Sequence, residues 1–243
     1  MRTLVLSDVH ANLFALEAVL NFLKEKGIGY DRVVSLGDYV DYGTRPNEVI
    51  EWFRENCDLC LLGNHDAALL DGRERRYFSD LASACSLWTE RVIKEENRRF
   101  IGSLRPIFRE DSVLYVHAAP GDPIWQYIFN VDEASQAFRN TNAQVIFVGH
   151  THVPSYFARY KNVVVGGQVV SDHVKMRLLP SVRYIINPGS VGQPRDGLGG
   201  ASFGIYDPSE PSFTWYRVEY DISPLKREIE ENGLPKALLS YFL

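Results

Sequence analysis

The 243-residue sequence contains three cysteines, two methionines and no uninterrupted apolar run of membrane-spanning length. Cys57, Cys60 and Cys85 are too few, and odd in number, for a disulfide framework, which fits a reducing compartment. A bilayer span needs about 18 consecutive apolar residues. Residues 1–10 instead run straight into a short apolar strand, without the layout of a signal peptide. The cytoplasm is therefore the expected location, and no membrane partner is expected. Basic charge is also short: 26 Lys and Arg against 31 Asp and Glu give a formal net charge of −5, which argues against a broad nucleic-acid surface. With 45% hydrophobic and 23% charged residues, the composition is that of a folded chain rather than a disordered or repetitive one. No Gly/Ser-rich linker divides it, so residues 1–243 are expected to form one domain.

What the sequence does contain is a pattern repeated five times, in which a short apolar run is followed by a polar cluster. Residues 4–6 lead to Ser7-Asp8-Val9-His10, 33–36 to Gly37-Asp38, and 60–62 to Gly63-Asn64-His65-Asp66. Residues 113–116 lead to His117, and 145–148 to Gly149-His150-Thr151-His152. Five of the six histidines fall in these clusters; His173 stands apart. Continuous apolar runs read as buried strands, and α/β sheets place ligand sites at the carboxyl ends of their strands. The five clusters are thus expected to converge on one sheet edge.

Leu13, Leu16, Val19, Leu20 and Leu23 recur at helical spacing, with Asn12 as candidate N-cap and Gly27 as stop. A second helix is expected from Pro46, and one longer helical stretch over 79–103, ended by Pro106. After residue 152, short strands over 155–160, 163–165, 174–179, 183–186, 203–206 and 213–218 predict a second sheet. Ser223 and Pro224 open a terminal helix that stops near Gly233. The fold class is α/β: two sheets packed face to face with helices outside.

Asp8, Asp38, Asn64, His10, His117, His150 and His152 offer hard oxygen and borderline nitrogen donors without a thiolate. That set suits manganese, iron, cobalt, nickel or zinc. Seven donors are too many for one tetrahedral ion but fit two divalent ions that share a carboxylate. Formal charges then leave a small positive excess, which favours a phosphate-bearing substrate.

The series Asp8-x-His10, Gly37-Asp38-x-x-Asp41-x-Gly43, Gly63-Asn64-His65-Asp66, His117 and Gly149-His150-Thr151-His152 resembles the calcineurin-like metallophosphoesterase superfamily. Residues 117–123, 187–195 and 233–235 resemble its bacterial and archaeal members related to small phosphodiesterases. The resemblance implies a four-layer α/β/β/α sandwich with mixed sheets and two metal ions, manganese first among the candidates. It assigns Asp8, His10, Asp38 and His152 to one ion and Asp38, Asn64, His117 and His150 to the other. It also implies in-line attack on phosphorus by a hydroxide held between the ions, with His65 assisting the leaving oxygen and Asp41 orienting His65. The expected substrate is a small phosphodiester or phosphomonoester, nucleotides included. Alternatives are a dinucleoside polyphosphate, a phosphoprotein or, in a different class, a protein-interaction scaffold.

Other residues carry weaker signals. Relatives that act on dinucleoside polyphosphates or phosphoproteins resemble Gly-Asp-x-Val-Asp-Arg-Gly at the second motif, and here Tyr42 stands in the arginine's place. Arg45 or Arg195 is a candidate replacement clamp, Asn12 a candidate phosphate contact, and Tyr42 a candidate stacking partner. Trp125, Tyr127 and Phe129 are candidates to extend an aromatic surface, with core packing the plainer reading. Asp66 is expected to support its loop or cap the helix that follows, rather than to bind metal. Arg73, Arg75 and Arg76 read as a solvated face, His173 as an ordinary histidine, and the Cys57/Cys60 pair as structural cysteines.

Overall fold

In a strand, successive side chains face opposite ways, and the first strand shows what that requires of the rest of the chain. Elements are numbered in chain order. From β1 (Thr3–Leu6), Leu4 and Leu6 pack outward against Leu16 and Val19 of α1 (Leu13–Glu25) and Phe53 of α2 (Pro46–Asn56). Val5 points the other way, into a second cluster with Tyr115, Phe147, Ile186, Phe213 and Trp215. Each strand must therefore be covered on both faces, by helices on one and by another sheet on the other.

The computed structural model describes residues 1–242 and contains two six-stranded sheets. The first runs β3 (Leu59–Cys60), β2 (Arg32–Ser35), β1, β11 (Ala201–Asp207), β12 (Ser212–Val218), β9 (His173–Arg177). The second runs β4 (Ile107–Glu110), β5 (Val113–Val116), β6 (Val145–Phe147), β10 (Arg183–Asn187), β7 (Ser155–Tyr160), β8 (Val163–Gln168). Both are mixed: β1, β2 and β3 are parallel, as are β5, β6 and β10, and antiparallel strands extend each sheet. On the outer face of the second sheet, Leu114, Val116, Ile146 and Ile185 pack on Ala134 and Phe138 of α6 (Val131–Arg139). The fold is a four-layer α/β/β/α sandwich.

The division of strands differs from the expectation that residues after 152 form the second sheet alone. β9, β11 and β12 join the first sheet, whereas β5 and β6 belong to the second. Pairing decides this: β11 runs antiparallel beside β1, with Leu4 opposite Ile205, and β6 runs parallel beside β10, with Ile146 opposite Ile185. The local pattern reports strand character but not the partner. Hence the five polar clusters converge from two sheets rather than from one edge: β1, β2 and β3 carry three, and β5 and β6 carry two.

The expected helix over 79–103 is two helices, α4 (Asp80–Val92) and α5 (Glu95–Gly102). Asn47 ends the first, donating to the Val92 carbonyl at 2.9 Å and accepting from the Lys94 N–H at 2.8 Å. The helix expected after Asp66 is α3 (Asn64–Leu70), with Asp66 in its first turn, whereas α6 and the strand β4 had no counterpart in the sequence. α7 (Ser223–Glu231) ends as expected before Gly233, which has a left-handed φ of 66°.

Phe147 lies fully buried between the sheets, stacked on Tyr115 and edge-on to Tyr206. Phe147→Ala should cost about 3–5 kcal/mol of stability, seen as a lowered urea midpoint with an unchanged slope; a midpoint within error of the parent would mean that the inter-sheet layer tolerates the cavity.

Candidate metal centre

The loops at the strand tips are held in a conformation that most residues avoid. Asp8, His10, Ala11, Asp38, Asp41, Tyr42, His150 and His152 all have φ between 49° and 69°. Asp and His tolerate the left-handed region better than most residues, and such strain persists only where the surroundings over-determine it. Here they do. The Asp8 N–H donates to Gly37 O at 3.0 Å, His10 N–H to Asp38 O at 3.0 Å, and Gly149 N–H to His117 O at 2.8 Å. The Ser190 hydroxyl donates to Asp8 O at 2.7 Å, tying the 187–195 loop to the same tip.

Asp66 joins two of these loops. Its buried carboxylate accepts from Asp38 N–H at 2.8 Å, Tyr39 N–H at 3.0 Å and Gly63 N–H at 2.9 Å. The expected supporting role is thus made by three backbone bonds. Gly63 is required by the same contact: a Cβ there would stand 2.0 Å from Asp38 Oδ1.

Seven donor side chains meet where the two sheets adjoin, and all are buried. Ligand atoms of Asp8, His10, Asp38 and His152 lie within 4.8 Å of one another, as do those of Asp38, His117 and His150. Asn64 Oδ1 is 3.1 Å from His117 Nε2, which places it with the second group. Asp38 belongs to both: its Oδ2 is 3.6 Å from His10 Nε2 and 3.5 Å from His117 Nε2.

The hydrogen bonds behind the imidazoles show what the cluster is built to receive. A carbonyl can only accept, so Val40 O, Leu36 O and Gln193 O fix protons on Nδ1 of His10, His117 and His152, at 2.7, 2.9 and 2.7 Å. With those protons on Nδ1, Nε2 is the nitrogen that each ring turns to the cluster. His10 Nε2 and His152 Nε2 are 3.2 Å apart, a repulsive contact between lone pairs unless a cation sits between them. His150 is reversed: its Nε2 faces Trp125 O at 3.2 Å, leaving Nδ1 as the ligand atom. Asp38 Oδ2 is buried with no hydrogen-bond partner. A buried carboxylate oxygen left alone among lone pairs is costly, and a shared cation satisfies it. The donor set fits two divalent ions.

Burial dominates the electrostatics. It raises Asp8 to about 7 and lifts Asp38 well above the carboxylate range, while it lowers His10, His150 and His152 well below the usual imidazole value. Cation binding and proton release from the carboxylates are therefore linked.

Beside the cluster lies a cavity of about 340 Å³, lined among others by Asp38, Asn64, His65, His150, His152 and Arg195. Asp41 Oδ2 is 2.7 Å from His65 Nδ1, which leaves Nε2 as the free ring nitrogen. Burial raises Asp41 to about 7 and lowers His65. Arg195 lies over the Tyr42 ring, 5.9 Å from its centroid. Its Nε–H and an Nη2–H donate to Gln193 Oε1 at 3.2 and 3.0 Å, and the Tyr127 hydroxyl is a further side-chain partner.

Two candidate substrate residues lie elsewhere. Asn12 is fully buried and fully engaged: Oδ1 caps α1 at Ala15 N–H, while Nδ2 donates to Gly192 O and Tyr220 Oη. Nothing remains for a phosphate. Arg45 is held by Glu228 of α7 and by Glu48, and it does not line the cavity. Trp125 and Tyr127 do line it; Phe129 instead stacks on Tyr127, 56% exposed. Arg73 binds Asp71, Arg75 binds Ser86 and Glu90, and Arg76 lies over Tyr77. His173 stacks on Tyr216, and the three cysteines are free. Sequence reasoning passed over Gln193, Tyr77, Phe78 and Tyr241. Gln193 sits in the quoted 187–195 motif, but the other three belong to none.

Comparison with known proteins identifies the family. The family model of the calcineurin-like phosphoesterases matches residues 1–154, a span that holds all seven donors and His65. An uncharacterised protein of Methanocaldococcus jannaschii is 41% identical over 241 residues, covering 96% of this chain and 94% of its own. The crystal structure of a metallophosphoesterase from Sphaerobacter thermophilus superposes with a TM-score of 0.87 at 38% identity, covering 100% of this chain and 98% of the other. A hypothetical protein from Pyrococcus horikoshii OT3 shares the fold, with a TM-score of 0.79 at 19% identity over 98% and 96% of the two chains. The protein is a metal-dependent phosphoric ester hydrolase. It belongs to the calcineurin-like phosphoesterase family. Among the described residues no helix is long and apolar enough to cross a membrane.

Because Asp66 acts only through the backbone it holds, Asp66→Asn should weaken manganese binding by about 10–100-fold, as outer-shell losses do. Calorimetry on metal-stripped protein measures this, and unchanged affinity would show that the two loops hold their positions without it.

Proposed function

We propose that the protein hydrolyses small phosphoesters, diesters in preference to monoesters, with two manganese ions as its resident metals. The observation that carries this reading is Asp38 Oδ2, the one buried oxygen that lies between both donor groups and has no other partner. A nitrogen and oxygen donor set without thiolate suits manganese. Once bound, such a pair of ions acidifies water and neutralises charge on the phosphoryl oxygens.

The chain's own residues supply the rest. His65, with Nδ1 fixed by Asp41, presents Nε2 to the cavity, and in its imidazolium form the Nε2–H gives its proton to the departing oxygen. Arg195, steadied by Gln193, offers its guanidinium to a phosphoryl oxygen. It supplies the guanidinium that Tyr42 displaces from the second motif, and it arrives from the far end of the chain. Arg195 is the single Lys or Arg of the lining, which suits the one negative charge of a diester better than the two of a monoester. The cavity, near the lower limit of ordinary ligand sites of about 300 Å³, admits a small ester.

His65→Asn should retain two manganese ions per chain and slow turnover by at least about 100-fold. Elemental analysis paired with assays on an aryl diester and an aryl monoester checks this, with Asp38→Asn as the inactive control. Unchanged turnover at full metal content would remove His65 from the mechanism, and a faster monoester would reverse the stated preference.

A further inference from the structure

Around His65 the cavity wall turns from polar to aromatic. Phe78 stacks on the His65 ring with centroids 4.3 Å apart, and Tyr42 lies tilted against it at 5.0 Å. A second rank backs the first: Trp125 meets Phe78 at 5.9 Å, nearly edge-on, and Tyr241 lies over Tyr42 at 6.2 Å with 27° between their planes. All four rings line the cavity, although they come from widely separated parts of the chain.

These rings are held in place. The Trp125 indole N–H donates to Glu74 at 3.1 Å. Tyr241 rides on the terminal 3-10 turn Lys236–Phe242, which is anchored by Leu238 and Phe242 against Leu225 and Ile229 of α7. The Tyr241 side chain is nonetheless 40% exposed, at the cavity rather than in the core. Exposed aromatic carbon beside a polar site is costly in water, and a stacked ligand recovers that cost.

We propose that this aromatic collar binds the departing group, so that the enzyme selects phosphoesters whose released alcohol carries a planar ring. The inference rests on the role given to His65 above. If His65 protonates the departing oxygen, the substituent on that oxygen must lie beside the rings that surround His65. In the step, water's oxygen bonds to phosphorus as the bond from phosphorus to the ring-bearing alkoxide breaks; that oxygen takes the His65 proton and leaves as the free alcohol, the phosphomonoester remains, and the proton given up by the water restores His65. The collar contributes stacking alone. A planar ring reaches this site either on a simple arylalkyl alcohol or on a nucleoside leaving through its ribose oxygen.

The test compares manganese-loaded enzyme on methyl 2-naphthylmethyl phosphate and methyl cyclohexylmethyl phosphate, whose larger alcohols are similar in acidity but differ in planarity. Release of the larger alcohol gives kcat/KM for each. The naphthyl ester should be preferred by at least about fivefold, the low end of aromatic stacking. Tyr241→Leu should bring the ratio near unity and Tyr241→Phe should preserve it, with melting temperatures confirming that both fold. The methyl ester of adenosine 5′-phosphate, followed by adenosine release, separates the nucleoside source from the arylalkyl one. Calorimetry with the matching naphthylmethyl and cyclohexylmethyl phosphonates gives the same ratio without turnover. If neither ester is hydrolysed while two ions bind, the reading of function fails, and the phosphonate ratio alone decides the collar. Equal constants for the planar and non-planar partners, or a preference that Tyr241→Leu leaves in place, would overturn the proposal.

Discussion

Four imidazoles and two carboxylates are packed into one buried cluster, and at its centre Asp38 Oδ2 has no hydrogen-bond partner. Three of the imidazoles are locked by backbone carbonyls so that Nε2 faces inward, and the fourth is locked the other way round. Rotating any ring to relieve the crowding would break a buried hydrogen bond. Left without cations, the cluster can be relieved only by protonation, which is why burial drives both Asp8 and Asp38 upward. The arrangement makes physical sense as a receptor for positive charge.

Holding that receptor together is the task the fold performs. Three clusters arrive on the parallel strands of one sheet and two on the parallel strands of the other, so each donor group draws side chains from both sheets and depends on the apolar layer that holds the sheets together. At the tips, left-handed backbone, Asp66 and the 187–195 loop convert strand positions into ligand positions. Gln193 links two functions in one residue, because its carbonyl orients His152 and its side-chain oxygen holds Arg195.

Much of this was legible in the sequence, for identifiable reasons. Apolar runs such as 4–6 and 145–148 marked buried strands because burial on both faces leaves little room for polar residues. The donors were legible because metal chemistry restricts side-chain type. What the sequence concealed is set by contacts between distant residues. That β11 rather than a later hairpin strand lies beside β1 depends on pairing, which strand composition does not encode. The break between α4 and α5 depends on Asn47, a residue from another helix. Arg45 has the chemistry of a phosphate clamp, but Glu228, far along the chain, claims it. The aromatic residues Tyr77, Phe78 and Tyr241 look like ordinary apolar positions until the fold gathers them.

The substrate side is arranged as deliberately as the metal side. Arg195, over Tyr42, and His65, held by Asp41, both line the cavity, and in the proposed reaction one would attend the phosphoryl group and the other its departing oxygen. All of this presupposes that Asp38 serves two cations at once. Anomalous diffraction from crystals grown with manganese tests that most directly. The account predicts two peaks per chain flanking Asp38 Oδ2, one among Asp8, His10 and His152 and the other among Asn64, His117 and His150. A single peak, or peaks that leave Asp38 Oδ2 without a contact, would contradict it.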